Sequence, residues 1–352
     1  MDGDTRGLGS RVMDGMGRPP RRLFALGAGA AALAVLVDRG LRLDVPQPPP
    51  PAPTRRPAPD EALLLSSVVE LDHLVRAESS VLAHGDPGGL VGRLRTVNRE
   101  QLAVLRGRLT NAGVPTTVIE AAMARGPLPL PDTSTTPGST GSATTTGTPS
   151  PTRSAATGSG AAPPSGSLPR TRAQLAALLD SLGPEHWAAA AGATTDTREL
   201  LAAAWSQRLA AAVLLGRDVA VTAPSPARPA IVGRTQPLVY AFQVVAAQST
   251  GSQRRTASAT LDALTRLEIA VSGSSSTTPA GWALPFPVTT PAEARRLATR
   301  TLSSAVDAGT EVAGTHPVPA SLEDVTRWSA DIQALAVDWG VPPTAFPGAT
   351  TS

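Results

Sequence analysis

The chain has 352 residues, 41% apolar and only 3% aromatic, which is room for two domains of ordinary size with alanine-rich cores. It contains no cysteine, which excludes disulfides, thiol catalysis, thiolate metal sites and a lipid-modified cysteine anchor. All 31 basic residues are arginine, yet the net charge is only +3, and residues 1–45 supply most of it with seven arginines against five acids. The near-neutral remainder gives no electrostatic case for a nucleic-acid partner.

Arg18, Arg21 and Arg22 precede the uncharged run from Leu23 to Val37. A basic segment followed by an apolar one is the pattern of an export signal. Arg21-Arg22-Leu23-Phe24 resembles the twin-arginine type, so the export motif is assigned to Arg21, Arg22 and Phe24. The run is short of the ~20 residues a spanning helix needs. No good small-x-small site follows Val37, so residues 1–45 are read as either a cleaved signal or an uncleaved membrane anchor. Either way the body is expected outside the cytoplasm, membrane-anchored or secreted, because the positive flank stays inside. Residues 46–59 are proline-rich and predict an extended, semi-rigid spacer.

Residues 60–125 read as a helical hairpin. Asp60 is placed to cap a helix reaching His84, with Leu64, Val68, Leu71, Val75, Glu78 and Leu82 as its seam. The turn His84-Gly85-Asp86-Pro87-Gly88-Gly89 leads into a second helix from Leu90 to Asn111, and a short third piece covers 118–124. Glu70 and His73 stand three apart on the first helix and share a face, a spacing that suits two ligands to one metal ion. Only His73 of the four histidines has a glutamate at that spacing, so this pair is the candidate metal site, set against a solvated helix face. His186 adjoins Glu185, but neighbours in sequence do not face each other on a helix.

Residues 126–168 are almost wholly Ser, Thr, Pro, Gly and Ala and read as a disordered linker, either plain or O-glycosylated. Residues 169–217 return to helix, with Leu175, Leu178, Leu179 and Leu182 on one face and a break at Gly183-Pro184. Asp196 and Glu199 suggest a capping box for a helix with an inward stripe of Leu201, Trp205, Leu209, Ala212 and Leu215. Two helices on each side of the linker would make one bundle.

Residues 230–348 predict four more helices. The first covers 236–250 and holds Tyr240 and Phe242; it reads as the buried centre of this domain. The second covers 255–271. Gly281 to Val288 is a rigid apolar loop. Thr290 then caps a third helix with Pro291 at its first position, and a fourth keeps Val325, Trp328, Ile332, Leu335 and Trp339 in register.

The segment Val239 to Ala247, the loop-and-helix Trp282 to Ala298 and the closing Thr344-Ala-Phe-Pro-Gly348 together resemble a ferritin-like domain of unknown function found in exported actinobacterial proteins. Residues 60–217 resemble, more loosely, the helical region that precedes it. The resemblance implies an all-α chain: a ferritin-like four-helix bundle at the C-terminus, preceded by a second helical bundle split by a disordered linker. It also implies Glu-His just before the Val-Tyr-Ala segment, where this chain has Thr235 and Gln236, and a carboxylate on the third helix, where it has Thr301 and Leu302.

There is no Gly-rich phosphate loop, nucleophile elbow or His-Glu-x-x-His helix. No residue is assigned to catalysis or cofactor binding. The expectation is a non-catalytic extracytoplasmic scaffold or partner-binding protein with an envelope protein as partner, tied to the membrane by its N-terminal segment. The alternative is a ferritin-like metal-binding oxidoreductase with a degenerate site.

Overall fold

The computed structural model describes residues 55–86, 88–126, 168–218, 225–272 and 281–351. The export motif, the proline spacer up to residue 54 and the linker from 127 to 167 lie outside the described residues. Among the described residues every element is a helix: α1 (Glu61–Ala83), α2 (Leu90–Asn111), α3 (Thr116–Arg125), α4 (Arg172–Leu179), α5 (Pro184–Ala191), α6 (Thr195–Leu214), α7 (Arg228–Gln248), α8 (Gly251–Ser272), α9 (Pro291–Thr315) and α10 (Pro319–Asp338). The all-α expectation therefore holds.

Most starts and stops follow local chemistry. Thr290 Oγ1 accepts from the Glu293 N–H at 3.2 Å, and Glu293 reaches back to the Thr290 N–H at 3.0 Å. Thr171 and Gln174 do the same for α4. Two expected caps are not formed. Asp60 sits in the left-handed region (φ 59°) and does not cap α1. Its carboxylate instead accepts from the N–H and hydroxyl of Thr194, at 3.0 and 2.6 Å, and so closes the start of α6 across the chain. That start lies at Thr194, which leaves Asp196 inside the first turn and no capping box with Glu199.

The helix holding Tyr240 begins eight residues before 236. Arg228 and Pro229 form its first turn, and Pro237 lies inside it. Arg228 grips the buried Asp324 of α10 through two hydrogen bonds of 2.8 Å, and Ser225 adds a third of 2.7 Å. This anchored start offsets the hydrogen bond that Pro237 cannot donate.

The expected separation into two bundles is not what the packing shows. Pro57–Ser352 is one compact unit, and its described buried side chains form a single apolar cluster. The α1–α2 hairpin is closed as expected, and α7–α8 and α9–α10 pair along their lengths. However, α6 packs extensively on both α9 and α10, and α5 also packs on α10. The physical reason is that α6 is buried on every side: Leu200, Leu201, Ala202, Ala203, Ala204, Trp205, Leu209, Ala210, Ala211 and Ala212 are all buried, and so are its polar Arg198, Gln207 and Arg208. A helix with no solvent face must be covered all round. The reading of the Tyr240 helix as the centre is thereby corrected, since Tyr240 itself is half-buried against Trp282.

The closing segment is part of this core. Ala345 and Phe346 are buried, Gln101 of α2 donates to the Ala345 carbonyl, and Thr310 of α9 donates to the Pro347 carbonyl at 2.6 Å. Gly348 has φ +70°, and a Cβ there would lie 2.5 Å from the Asp307 carbonyl oxygen. Phe242, fully buried, meets Trp339 edge-on at 5.5 Å. Gly348→Ala is expected to cost about 1–3 kcal/mol through the strained backbone, and Phe242→Ala about 3–5 kcal/mol through the cavity it leaves. Urea unfolding of the two variants measures both, and an unchanged midpoint for either contradicts the packing described.

Candidate functional site

The metal candidates Glu70 and His73 are neighbours on α1, but the structure gives Glu70 other partners. His186 of α5 donates from Nε2 to Glu70 Oε1 at 3.0 Å, and Arg208 of α6 donates from Nη1 to Glu70 Oε2 at 2.9 Å. His186 Nδ1 accepts from the Gly183 N–H at 3.0 Å. A ring nitrogen that accepts leaves the proton on the other, so Nε2 is the donor to Glu70. Arg208 gives three further donors to the Leu178 and Leu179 carbonyls and the Ser181 hydroxyl, at 2.9–3.0 Å. Trp205 closes the cluster, edge-on to His186 at 5.8 Å and to Trp187 at 5.4 Å.

Burial alone would push the Glu70 carboxyl up. The His186 hydrogen bond and the Arg208 charge outweigh it and hold the group below its ordinary range. His73 is held below its ordinary value by burial and by the arginines Arg76 and Arg208. Both imidazole nitrogens of His186 are engaged. Among the described residues, no group of three or more His, Asp or Glu is placed to hold a metal ion. The arrangement clamps α1, α4, α5 and α6 together.

The positions to which the family resemblance assigns ligands do not fit a metal either. Thr235 is fully buried; its hydroxyl donates to the Ile231 carbonyl at 2.8 Å and accepts from Trp328 Nε1 at 3.0 Å. Leu302 is core, and Thr301 bonds back to its own helix. These side chains are engaged in packing and in hydrogen bonds among the helices.

An open cleft of about 490 Å³ lies between the C-terminal end of α6, α8 and α10. Val213, Leu214, Leu267 and Leu335 form its apolar floor, and Ala263 and Ala270 its wall. Asp218, Asp331 and Asp338 line it together with Arg217 and Arg266. Arg217 already donates to Asp180 at 2.8 Å. Burial, reinforced by Asp218 and opposed by Arg327, pushes the Asp331 carboxyl up to about 7. Burial also raises Asp338.

Sequence reasoning missed His186 and Arg208 as partners of Glu70 because helical spacing reveals only contacts within one helix. One signal was present. Arg208 is a cation in the run Leu-Ala-Ala-Ala-Trp-Ser-Gln-Arg-Leu-Ala-Ala-Ala, where a charge with no polar neighbourhood needs a buried partner. The Asp331 cleft carries no such mark.

Glu70→Gln removes the charge that Arg208 pairs with and is expected to destabilise the fold by about 3–5 kcal/mol in chemical denaturation. A loss below about 1 kcal/mol would contradict the clamp. Asp331 acts with the opposite sign. Its contribution is complete below the ordinary aspartate value of 3.8 and is lost as pH rises to about 7, since only the folded state holds the proton in that window. Asp331→Asn is therefore expected to raise stability at pH 7–8 by on the order of 1–2 kcal/mol and to leave it unchanged near pH 3.5. Thermal melts across that range test this, and equal pH profiles for the two proteins would contradict it.

Compared with known proteins, the chain matches no family model, and no curated protein or solved structure is similar to it.

Proposed function

We propose that this chain is an exported helical protein that serves as a scaffold or binding partner at the cell envelope, and that its α7–α10 region is a divergent ferritin-like bundle. The observation that carries the binding reading is a contrast between interior and surface. Glu70 and Arg208, and Arg228 and Asp324, are paired with one another or with the backbone. The α6–α8–α10 cleft instead sets polar groups around an apolar floor. Asp218, Asp331 and Asp338 line that cleft beside Arg266, which is not tied to Asp180, and the burial that raises Asp331 and Asp338 favours a partner cation that would hold them ionised. That balance suits an apolar segment of a partner protein flanked by arginine or lysine. The ferritin-like reading rests on the sequence motifs and on the close packing of α7 with α8 and α9, and of α9 with α10.

Crosslinking in the native host, followed by purification of the full chain, tests the proposal. The expected result is one discrete crosslinked partner, lost when Ala270→Arg and Asp338→Arg are introduced together at the cleft rim. Purified protein that forms no crosslink but carries stoichiometric iron or manganese would overturn it in favour of a metal-binding oxidoreductase.

A further inference from the structure

Glu78 sits on α1 facing α2, and neither it nor Asn98 of α2 is exposed at all. Asn98 Nδ2 donates to Glu78 Oε1 at 2.6 Å. The other oxygen of each group, Glu78 Oε2 and Asn98 Oδ1, is buried without a hydrogen-bond partner. Both are acceptors if the carboxyl is ionised, and two buried acceptors without donors are costly. One proton removes both deficits. Placed on Oε2, it makes that oxygen a donor to Asn98 Oδ1, and the acid and the amide then form a closed ring of two hydrogen bonds.

We propose that Glu78 is carried in the folded protein as a neutral carboxylic acid paired with Asn98, so that closure of the α1–α2 hairpin takes up a proton and the fold is tightened by acidification. The charged groups acting on Glu78 are Arg95 and Arg99, both on α2; α3, α4, α5 and α6, which also meet α1, contribute none. Arg99 is exposed and Arg95 is half-buried beside Ser79. Neither bonds to the carboxyl, so neither replaces the missing donor. Burial is the largest influence and pushes the group up to about 8, against the pull of Asn98 and the two arginines.

The sign follows from linkage. Below the ordinary glutamate value of 4.5 both folded and unfolded chains hold the proton, and the contribution is complete. Between 4.5 and about 8 only the folded chain holds it, so the unfolding equilibrium constant rises roughly tenfold per pH unit from this group. Above about 8 the effect levels off. Glu78→Gln keeps the shape and supplies a permanent donor where the proton would be.

The test compares wild-type and Glu78→Gln full chains by denaturant unfolding from pH 4 to pH 9. The expected result is near-equal stability at pH 4 and a gap widening in favour of the variant up to about pH 8, at least a hundredfold in equilibrium constant. A gap that does not change with pH overturns the proposal. A second readout does not depend on the variant folding: carbon-13 NMR of glutamate-labelled wild-type protein is expected to show one carboxyl still protonated at pH 6.5. A spectrum with every glutamate ionised at that pH overturns the proposal.

Discussion

Everything in this molecule is arranged around the need to cover α6 on all sides. Fifteen of its residues are buried, among them Arg198, Ser206, Gln207 and Arg208. Water cannot satisfy these polar groups, so neighbouring elements must. Arg198 donates to the Ala193 carbonyl and to the Gly314 carbonyl at the end of α9. Ser206 accepts from Gln333 of α10 at 2.8 Å, and Gln207 accepts from Gln101 of α2 at 3.4 Å. Arg208 meets Glu70 of α1. Four polar side chains on one helix thus fix the positions of α1, α2, α9 and α10.

This constraint explains why the chain packs as one unit although its sequence reads as two blocks. The hairpin of α1 and α2 has an apolar face that α6 completes through Leu201 and Trp205, beside Leu71, Leu74 and Leu105. The opposite face of α6 needs α9 and α10. There Gly309 of α9 lies so close to Ser329 of α10 that a Cβ would collide with the Ser329 hydroxyl. The small side chains that let helices approach closely also leave α6 without a visible polar face. Alanine gives packing here in place of bulk, and nine aromatic residues suffice among the described residues because the contacts are tight.

Much of the architecture was legible in the residues. The Gly-rich turn before Leu90 and the Thr290-Pro291-Glu293 start of α9 each act locally, so each can be read locally, and the α1 seam held at Leu64, Val68, Leu71 and Glu78 while Leu74 and Val81, not Val75 and Leu82, carry the burial beside them. Helix order and the inward positions Val325, Trp328, Ile332 and Trp339 follow from the same periodicity. The central position of α6 did not, because periodicity reports a face and this helix has none. The start of α7 was hidden behind Pro237, since the pairing of Arg228 with Asp324 that anchors it spans 96 residues. Of the sites, spacing singled out Glu70 with His73 as a metal pair, whereas Glu70 is bound by His186 and Arg208, which spacing within one helix cannot reveal. Glu78 was placed on the inward seam, but its pairing with Asn98 depends on the hairpin being closed.

The account stands or falls on α6 being the shared core of one cooperative unit. Native-state hydrogen exchange of the full chain, resolved by residue, tests that directly. The prediction is that the amides from Leu200 to Ala212 are the slowest in the protein, exchange only through global unfolding, and share one opening free energy with those of α1 and α10. Opening of α1–α6 at a distinctly lower free energy than α7–α10 would show two independent bundles and contradict it.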